Sequence, residues 1–170
     1  IPEPGPGQVR IKVRVAGVNY ADLAQRLGRY PGGPKPPYAA GFEVAGEVDA
    51  LGANVRGWKP GAPVMGFCEG GYSDYALVDG AALLPKPELL DFQHAAAVPC
   101  QYLTAYHALI TLGRLSEGQN VLVHAAAGGL GTVMVQIARN VGATVIGMCS
   151  SAEKCALLRE IGCHHAVDYV

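Results

Sequence analysis

Val9, Ile11, Val13 and Val15 alternate with Arg10, Lys12 and Arg14, the two-residue period of a strand buried on one face. The pattern predicts an antiparallel sheet with one solvated face. Residues 43–51 and 63–67 read as further short strands punctuated by Gly46, Gly52, Gly57 and Gly61, and residues 72–78 as another. The run PGGPKPP over 31–37 must be a loop, because proline removes amide donors and restricts the residue before it. A short helix is expected over 20–27, with Asp22 and Arg26 placed to pair on its surface four residues apart.

The pattern changes near residue 92. Residues 92–98 and 101–112 have helical propensity, 119–124 (QNVLVH) is a short apolar run, and a glycine-rich turn then leads into a helix over 130–141. Residues 143–148 (ATVIGM) form a second buried strand, 152–161 a second helix, and Ala166 with Val167 opens a third strand. Strand, helix, strand, helix, strand is the order of a parallel sheet with right-handed crossovers. The expected fold class is α/β with a β-rich part in front, divided as 1–98 and 99–170. A doubly wound dinucleotide fold uses six strands, so the nucleotide part is expected to be truncated at its C-terminal side and the β part to lack a strand or two before Ile1.

Charge and composition narrow the classes. Thirteen basic and 14 acidic side chains leave a formal charge of −1, which argues against nucleic acid as the main partner. Half the residues are hydrophobic and 16% are charged, far from the composition of disordered chains. The five cysteines, Cys68, Cys100, Cys149, Cys155 and Cys163, contain no C-x-x-C pair and fit a reducing, cytoplasmic setting. No signal peptide is visible at the start of the chain. The uncharged stretch 94–113 contains Pro99, Gln101 and two histidines, which favours a buried helical segment over a membrane span. His107, His124, His164 and His165 have no ligand spacing and are taken as structural.

Chemistry enters at the glycine turn. Ala126, Gly128 and Gly131 form A-x-G-x-x-G between a strand and a helix, the context in which that pattern binds a dinucleotide. With Gly129 and Leu130 they are the expected pyrophosphate contacts: bare backbone approaches the anion, and the helix N-terminus carries partial positive charge. Ala126 in place of the first glycine is compatible with a tight turn if its φ stays negative. An NAD enzyme commonly places Asp or Glu at the end of the second strand. Here Met148 and Cys149 are followed by Ser150, Ser151 and Lys154, hydroxyls and a cation suited to a 2′-phosphate, so NADPH is the expected cofactor. Ser150 with Glu153 also reads as a capping box for the next helix, and Lys154 as a solvated helix charge.

The runs Gly17-Val18-Asn19-Tyr20-Ala21-Asp22, Gly41-Phe42-Glu43-Val44-Ala45-Gly46, Gly71-Tyr72-Ser73-Asp74-Tyr75-Ala76 and Leu103-Thr104-Ala105-Tyr106, together with VLVHAAAGGLG over 121–131, resemble the medium-chain dehydrogenase/reductase superfamily. That resemblance implies a GroES-like β domain followed by the first half of a Rossmann domain, with the nicotinamide held in a cleft between them. Zinc members of the superfamily place Cys at the Asn19 position and His at the Phe42 position. Cys100 matches the third ligand position, but one thiolate cannot hold Zn²⁺, and it reads as an ordinary buried thiol. The structural zinc lobe is missing too, since Cys68 stands alone.

The chain therefore resembles the zinc-free quinone oxidoreductase branch, typified by zeta-crystallin, for which no metal is expected. The resemblance implies NADPH-dependent hydride transfer to a small-molecule quinone or α,β-unsaturated carbonyl compound. Without a metal, oxyanion stabilisation falls to hydrogen-bond donors, and Asn19 and Tyr30 are the catalytic candidates. Asn19, also a candidate cofactor contact, doubles as a potential N-cap for the 20–27 helix. Tyr30 matches a tyrosine of enoyl-thioester reductases and reads alternatively as a packed aromatic. Ala24 stands where quinone reductases of this type often carry another tyrosine, which widens the pocket. Thr104 and Tyr169 match positions near the nicotinamide and the adenosine phosphate. An enoyl-thioester reductase and a non-catalytic NADPH-binding protein are the competing readings. A homodimer is expected for the full-length protein, with no membrane partner.

Overall fold

A computed structural model describes all residues, 1–170. The chain forms two compact units, Ile1–Cys100 and Gln101–Val170.

In the first unit, β1 (Gln8–Ala16), β2 (Glu43–Leu51), β3 (Pro63–Phe67), β4 (Tyr75–Asp79) and β5 (Leu84–Pro85) make one antiparallel sheet in the order β4-β1-β2-β3-β5. The alternation in β1 does what a two-residue period requires: Val9 and Ile11 are fully buried while Lys12 and Arg14 face solvent. Val9, Ile11, Val44, Val48, Val64, Ala76, Val78 and Leu83 form one core. A second cluster, Ala45, Met65, Ala95 and Ala96, forms where α2 (Phe92–Ala96) packs against β2. Each fully buried Val or Ile contributes roughly 1.5–3 kcal/mol through lost apolar exposure. The pairing of β1 with β4 begins at Tyr75, not at residue 72 as expected. Gly71 and Tyr72 donate their backbone N–H groups to Gly41 and Ala40 instead, at 3.0 and 2.9 Å, which draws that segment into a turn.

The short helix α1 (Tyr20–Arg26) follows β1. Asp22 does not pair with Arg26. It is 5% exposed and its Oδ2 accepts the Asn19 N–H at 2.8 Å, because the unpaired amide at the helix start outcompetes a solvated cation one turn away.

In the second unit β6 (Asn120–Val123), β7 (Thr144–Cys149) and β8 (His165–Asp168) are parallel in the order β6-β7-β8. Helices α4 (Gly129–Val141) and α5 (Ala152–Glu160) form the crossovers. Val123, Val135, Ala138, Val145, Cys149, Cys155 and Leu158 share its core. The apolar stretch ahead of β6 is broken: α3 (Pro99–Tyr106) opens on a proline, and a π-helical segment, His107–Leu112, follows it. No helix is long and apolar enough to cross a membrane.

Candidate functional site

The first unit gathers its polar chemistry around one buried carboxylate. Glu43 opens β2 and is fully buried. Its Oε1 accepts from Asn19 Nδ2 at 2.7 Å and its Oε2 from the Cys100 backbone N–H at 2.8 Å. Space for it comes from Gly17, where a Cβ would lie 2.6 Å from Glu43 Cγ. Burial raises the Glu43 pKa, the bonds from Cys100 and Asn19 lower it, and Asp22 raises it again, leaving it above the ordinary carboxylate value. Glu43 belongs to the quoted GFEVAG run but was not foreseen as a site residue. The available signal was an acid heading an otherwise apolar run.

Asn19 is the N-cap residue of α1, in a capping box with Asp22. Its carboxamide turns to Glu43, while Asp22 supplies the reciprocal bond to the Asn19 N–H. Asp22 Oδ1 is buried without a hydrogen-bond partner. The two acids impose a negative field on their surroundings. Burial first, then Glu43 and Asp22, push the Cys68 thiol up to about 12 and the Cys100 thiol up to about 11. Burial and the Asp22 carboxylate push the Tyr72 phenol up to about 12. Both thiols stay protonated at neutral pH and are poor nucleophiles.

Tyr30 stands at the edge of the proline-rich loop, 41% exposed, its ring 5.5 Å from that of Phe42, which stacks on Phe67 at 5.9 Å. Its hydroxyl bonds to nothing within the chain. Asn19 and Tyr30 thus anchor on consecutive residues, Glu43 and Phe42. Beside them a cavity of about 370 Å³ is lined by Gln25, Pro34, Tyr38, Phe42 and Glu69, though by neither Asn19 nor Tyr30. Ala24 belongs to α1.

The residues of the first unit do not fit a catalytic zinc. Asn19 and Phe42 supply neither thiolate nor imidazole, the Phe42 ring is packed between two aromatics, and no three His, Cys, Asp or Glu side chains converge on a metal position.

In the second unit the glycine turn links β6 to α4. Gly128 is the N-cap, no side chain caps the helix, and its first turn holds no acid. Gly128, Gly129 and Leu130 are exposed, whereas Ala126 and Gly131 are buried. A Cβ at Gly131 would lie 2.6 Å from Ala126 Cα, so this glycine lets the helix meet the turn. The positive φ of the turn falls on Ala125, at 48°, and not on Ala126. An open, acid-free helix N-terminus fits a pyrophosphate.

At the end of β7, Lys154 Nζ donates to Ser150 Oγ at 2.9 Å. The cap of α5 is Ser151, whose Oγ accepts from the Lys154 N–H at 3.3 Å, so the expected Ser150–Glu153 capping box is not formed. Ser151 takes the cap because its extended backbone is the last before helical geometry begins. Tyr169 follows β8, its N–H bonding to Cys149 O at 3.1 Å. Thr104 is exposed on α3, away from any hydrogen bond to these groups.

Residues 5–88 match the family described as alcohol dehydrogenase GroES-like domain, and residues 129–170 match the family described as zinc-binding dehydrogenase. The chain belongs to the medium-chain dehydrogenase/reductase superfamily. Within this superfamily it falls on the zeta-crystallin-like branch. It is 41% identical over 169 residues to the synaptic vesicle membrane protein VAT-1 homolog of Rattus norvegicus, covering 99% of this chain and 42% of that protein. It is 37% identical over 171 residues to a quinone oxidoreductase of Pongo abelii, covering 99% and 52%. A mycobacterial protein solved in complex with NADPH superposes with a TM-score of 0.92 at 33% identity, covering 99% of this chain and 52% of that one. The CurK enoyl reductase superposes at 0.91 with 31% identity, covering 99% and 53%. The chain spans about half the length of the curated relatives it matches.

Proposed function

We propose that the chain is part of an NADPH-dependent, zinc-independent oxidoreductase that reduces quinones or α,β-unsaturated carbonyl compounds. The observation that carries this reading is the uncapped, acid-free N-terminus of α4 with a Lys154–Ser150 pair at the end of the adjoining strand. The helix N-terminus receives the pyrophosphate, and Lys154 with the Ser150 and Ser151 hydroxyls receives the 2′-phosphate. Tyr169 borders the same group. The NADPH found with the mycobacterial relative and the name of the Pongo abelii relative support the cofactor and the acceptor class.

Bound NADPH would supply hydride, and the acceptor carbonyl oxygen then gains negative charge. The chain's own contribution is a donor for that oxygen. Tyr30 offers a phenol O–H with no competing bond, its ring in tilted contact with that of Phe42, and it can hydrogen-bond the oxygen or pass it a proton. The neighbouring cavity, which shares Phe42 with the Tyr30 contact, has a volume in the range of small-ligand sites.

A second reading, enoyl-thioester reduction, is favoured by the likeness to the CurK enoyl reductase. Steady-state oxidation of NADPH by the full-length protein, with a small quinone and a 2-enoyl-thioester side by side, separates the two. Preferential quinone turnover, lowered about 100-fold or more in Tyr30→Phe, is the expected result. Preferential thioester turnover moves the protein to the second reading, and NADPH binding without turnover of either acceptor overturns the enzymatic reading.

A further inference from the structure

We propose that Cys149 and Cys155 are a modification site: a dithiol that hydrogen peroxide oxidises to an internal disulfide, which loosens the hold of the β7–α5 turn on a 2′-phosphate. Cys149 ends β7, and Cys155 closes the first turn of α5. Their Sγ atoms are 2.7 Å apart, one thiol donating to the other, against about 2.05 Å for a sulfur–sulfur bond. The other three cysteines have no sulfur partner. Cys163 donates to Val145 O and His165 O at 3.5 and 3.4 Å, and Cys68 and Cys100 belong to the first unit.

The oxidation runs in two steps. One sulfur loses two electrons to the peroxide and becomes a sulfenic acid as the first water leaves; the second thiol then attacks it, forming the S–S bond and releasing a second water. Both cysteines are almost wholly covered, and the hydrogen bond to Cys149, with burial, pushes the Cys155 thiol up to about 11. Thiolate is therefore scarce at neutral pH, and the first step is the slow one. Lys154 and Ala156 on either side of Cys155 are exposed, so fraying of the first turn admits a molecule this small. The second step needs no encounter, because the sulfurs already touch.

The bond closes the loop 149–155, which holds Ser150, Ser151 and Lys154. Its strand end is fixed: Cys149 O accepts the Tyr169 N–H at 3.1 Å, and Cys149 pairs with Asp168 across the sheet. The movement therefore falls on α5, whose Cys155 N–H bonds to Ser151 O at 3.0 Å and whose Lys154 reaches Ser150 at 2.9 Å. A ligand that spans Ser150, Ser151 and Lys154 in the dithiol geometry resists that movement, and by linkage the disulfide weakens the ligand in return. This half of the inference rests on the reading that the turn binds NADPH.

The test treats the full-length protein with hydrogen peroxide, alkylates the remaining thiols and maps the tryptic peptides. Trypsin cuts after Lys154 and Arg159, so Cys149, Cys155 and Cys163 leave on separate peptides. The expected product joins the Cys149 and Cys155 peptides with the loss of two hydrogens, and a thiol reductant separates them again. The oxidised protein should bind NADP⁺, which carries the 2′-phosphate without a hydride to spend on peroxide, about tenfold more weakly. Its Kd for NAD⁺ should stay unchanged, and in Cys155→Ala peroxide should leave the NADP⁺ Kd as it was. No linked peptide, or sulfinic acid on one cysteine alone, would overturn the proposal, and so would a linked peptide with the NADP⁺ Kd unmoved. If the peptides link while neither form binds NADP⁺, the dithiol assignment stands and the functional reading above falls, taking the phosphate effect with it.

Discussion

At position 17 a side chain and the Glu43 carboxylate compete for one volume, since a Cβ there would lie 2.6 Å from Glu43 Cγ. Gly17→Ala is therefore expected to cost about 1–3 kcal/mol, in the range of other overpacked cores. Urea denaturation of the variant measures it, and an unchanged midpoint would show that Glu43 moves aside freely. Glu43 also sets a pH slope. Its folded pKa lies above the ordinary 4.5, so the folded state holds that proton more tightly than the unfolded chain. Its stabilising contribution is complete below pH 4.5 and is lost as pH rises through the raised folded value. Glu43→Gln should flatten that part of the stability profile, and an unaltered slope in urea midpoints against pH would count against the assignment. None of this was legible beforehand: Asn19 stood out as a polar residue at a helix start, but its partner lies 24 residues away, and spacing along a chain does not report such a contact.

The turn between β7 and α5 carries both a helix cap and the proposed phosphate group. Ser151 caps the helix while Ser150 and Lys154 bond to each other. Ser151→Ala should cost about 1 kcal/mol of stability, as for other lost N-caps. Lys154→Ala should leave stability within about 0.5 kcal/mol and lower the preference for NADPH over NADH by about tenfold, the loss of one charge-assisted bond. The ratio of kcat/KM values for the two cofactors reads this directly, and an unmoved ratio would remove Lys154 from the site. Elements with a clear period were legible here: β1 from its alternation, α4 from apolar residues following a glycine turn. The start of β4 was not, because Gly71 and Tyr72 bond to Gly41 and Ala40, partners some thirty residues back. The π-helical segment was also invisible, since it differs from an α-helix by a one-residue shift of hydrogen-bond register.

The largest buried cluster of each unit is built without the other. One is built on Val9, Ile11, Val44 and Val64, the other on Val123, Val135, Val145 and Leu158, and they share no residue. Ile11 and Leu158 are both fully buried, so Ile11→Val should cost about 0.5–1.5 kcal/mol and Leu158→Ala about 2–5 kcal/mol. Side chains that share no packing partner do not relax into one another's cavity, so the double variant should lose the sum of the two costs to within about 0.5 kcal/mol. Denaturant titration of the four proteins tests this. A coupling well above that margin would mean that the units unfold through a common packed network, and the division that the sequence pattern suggests would then describe topology without describing stability.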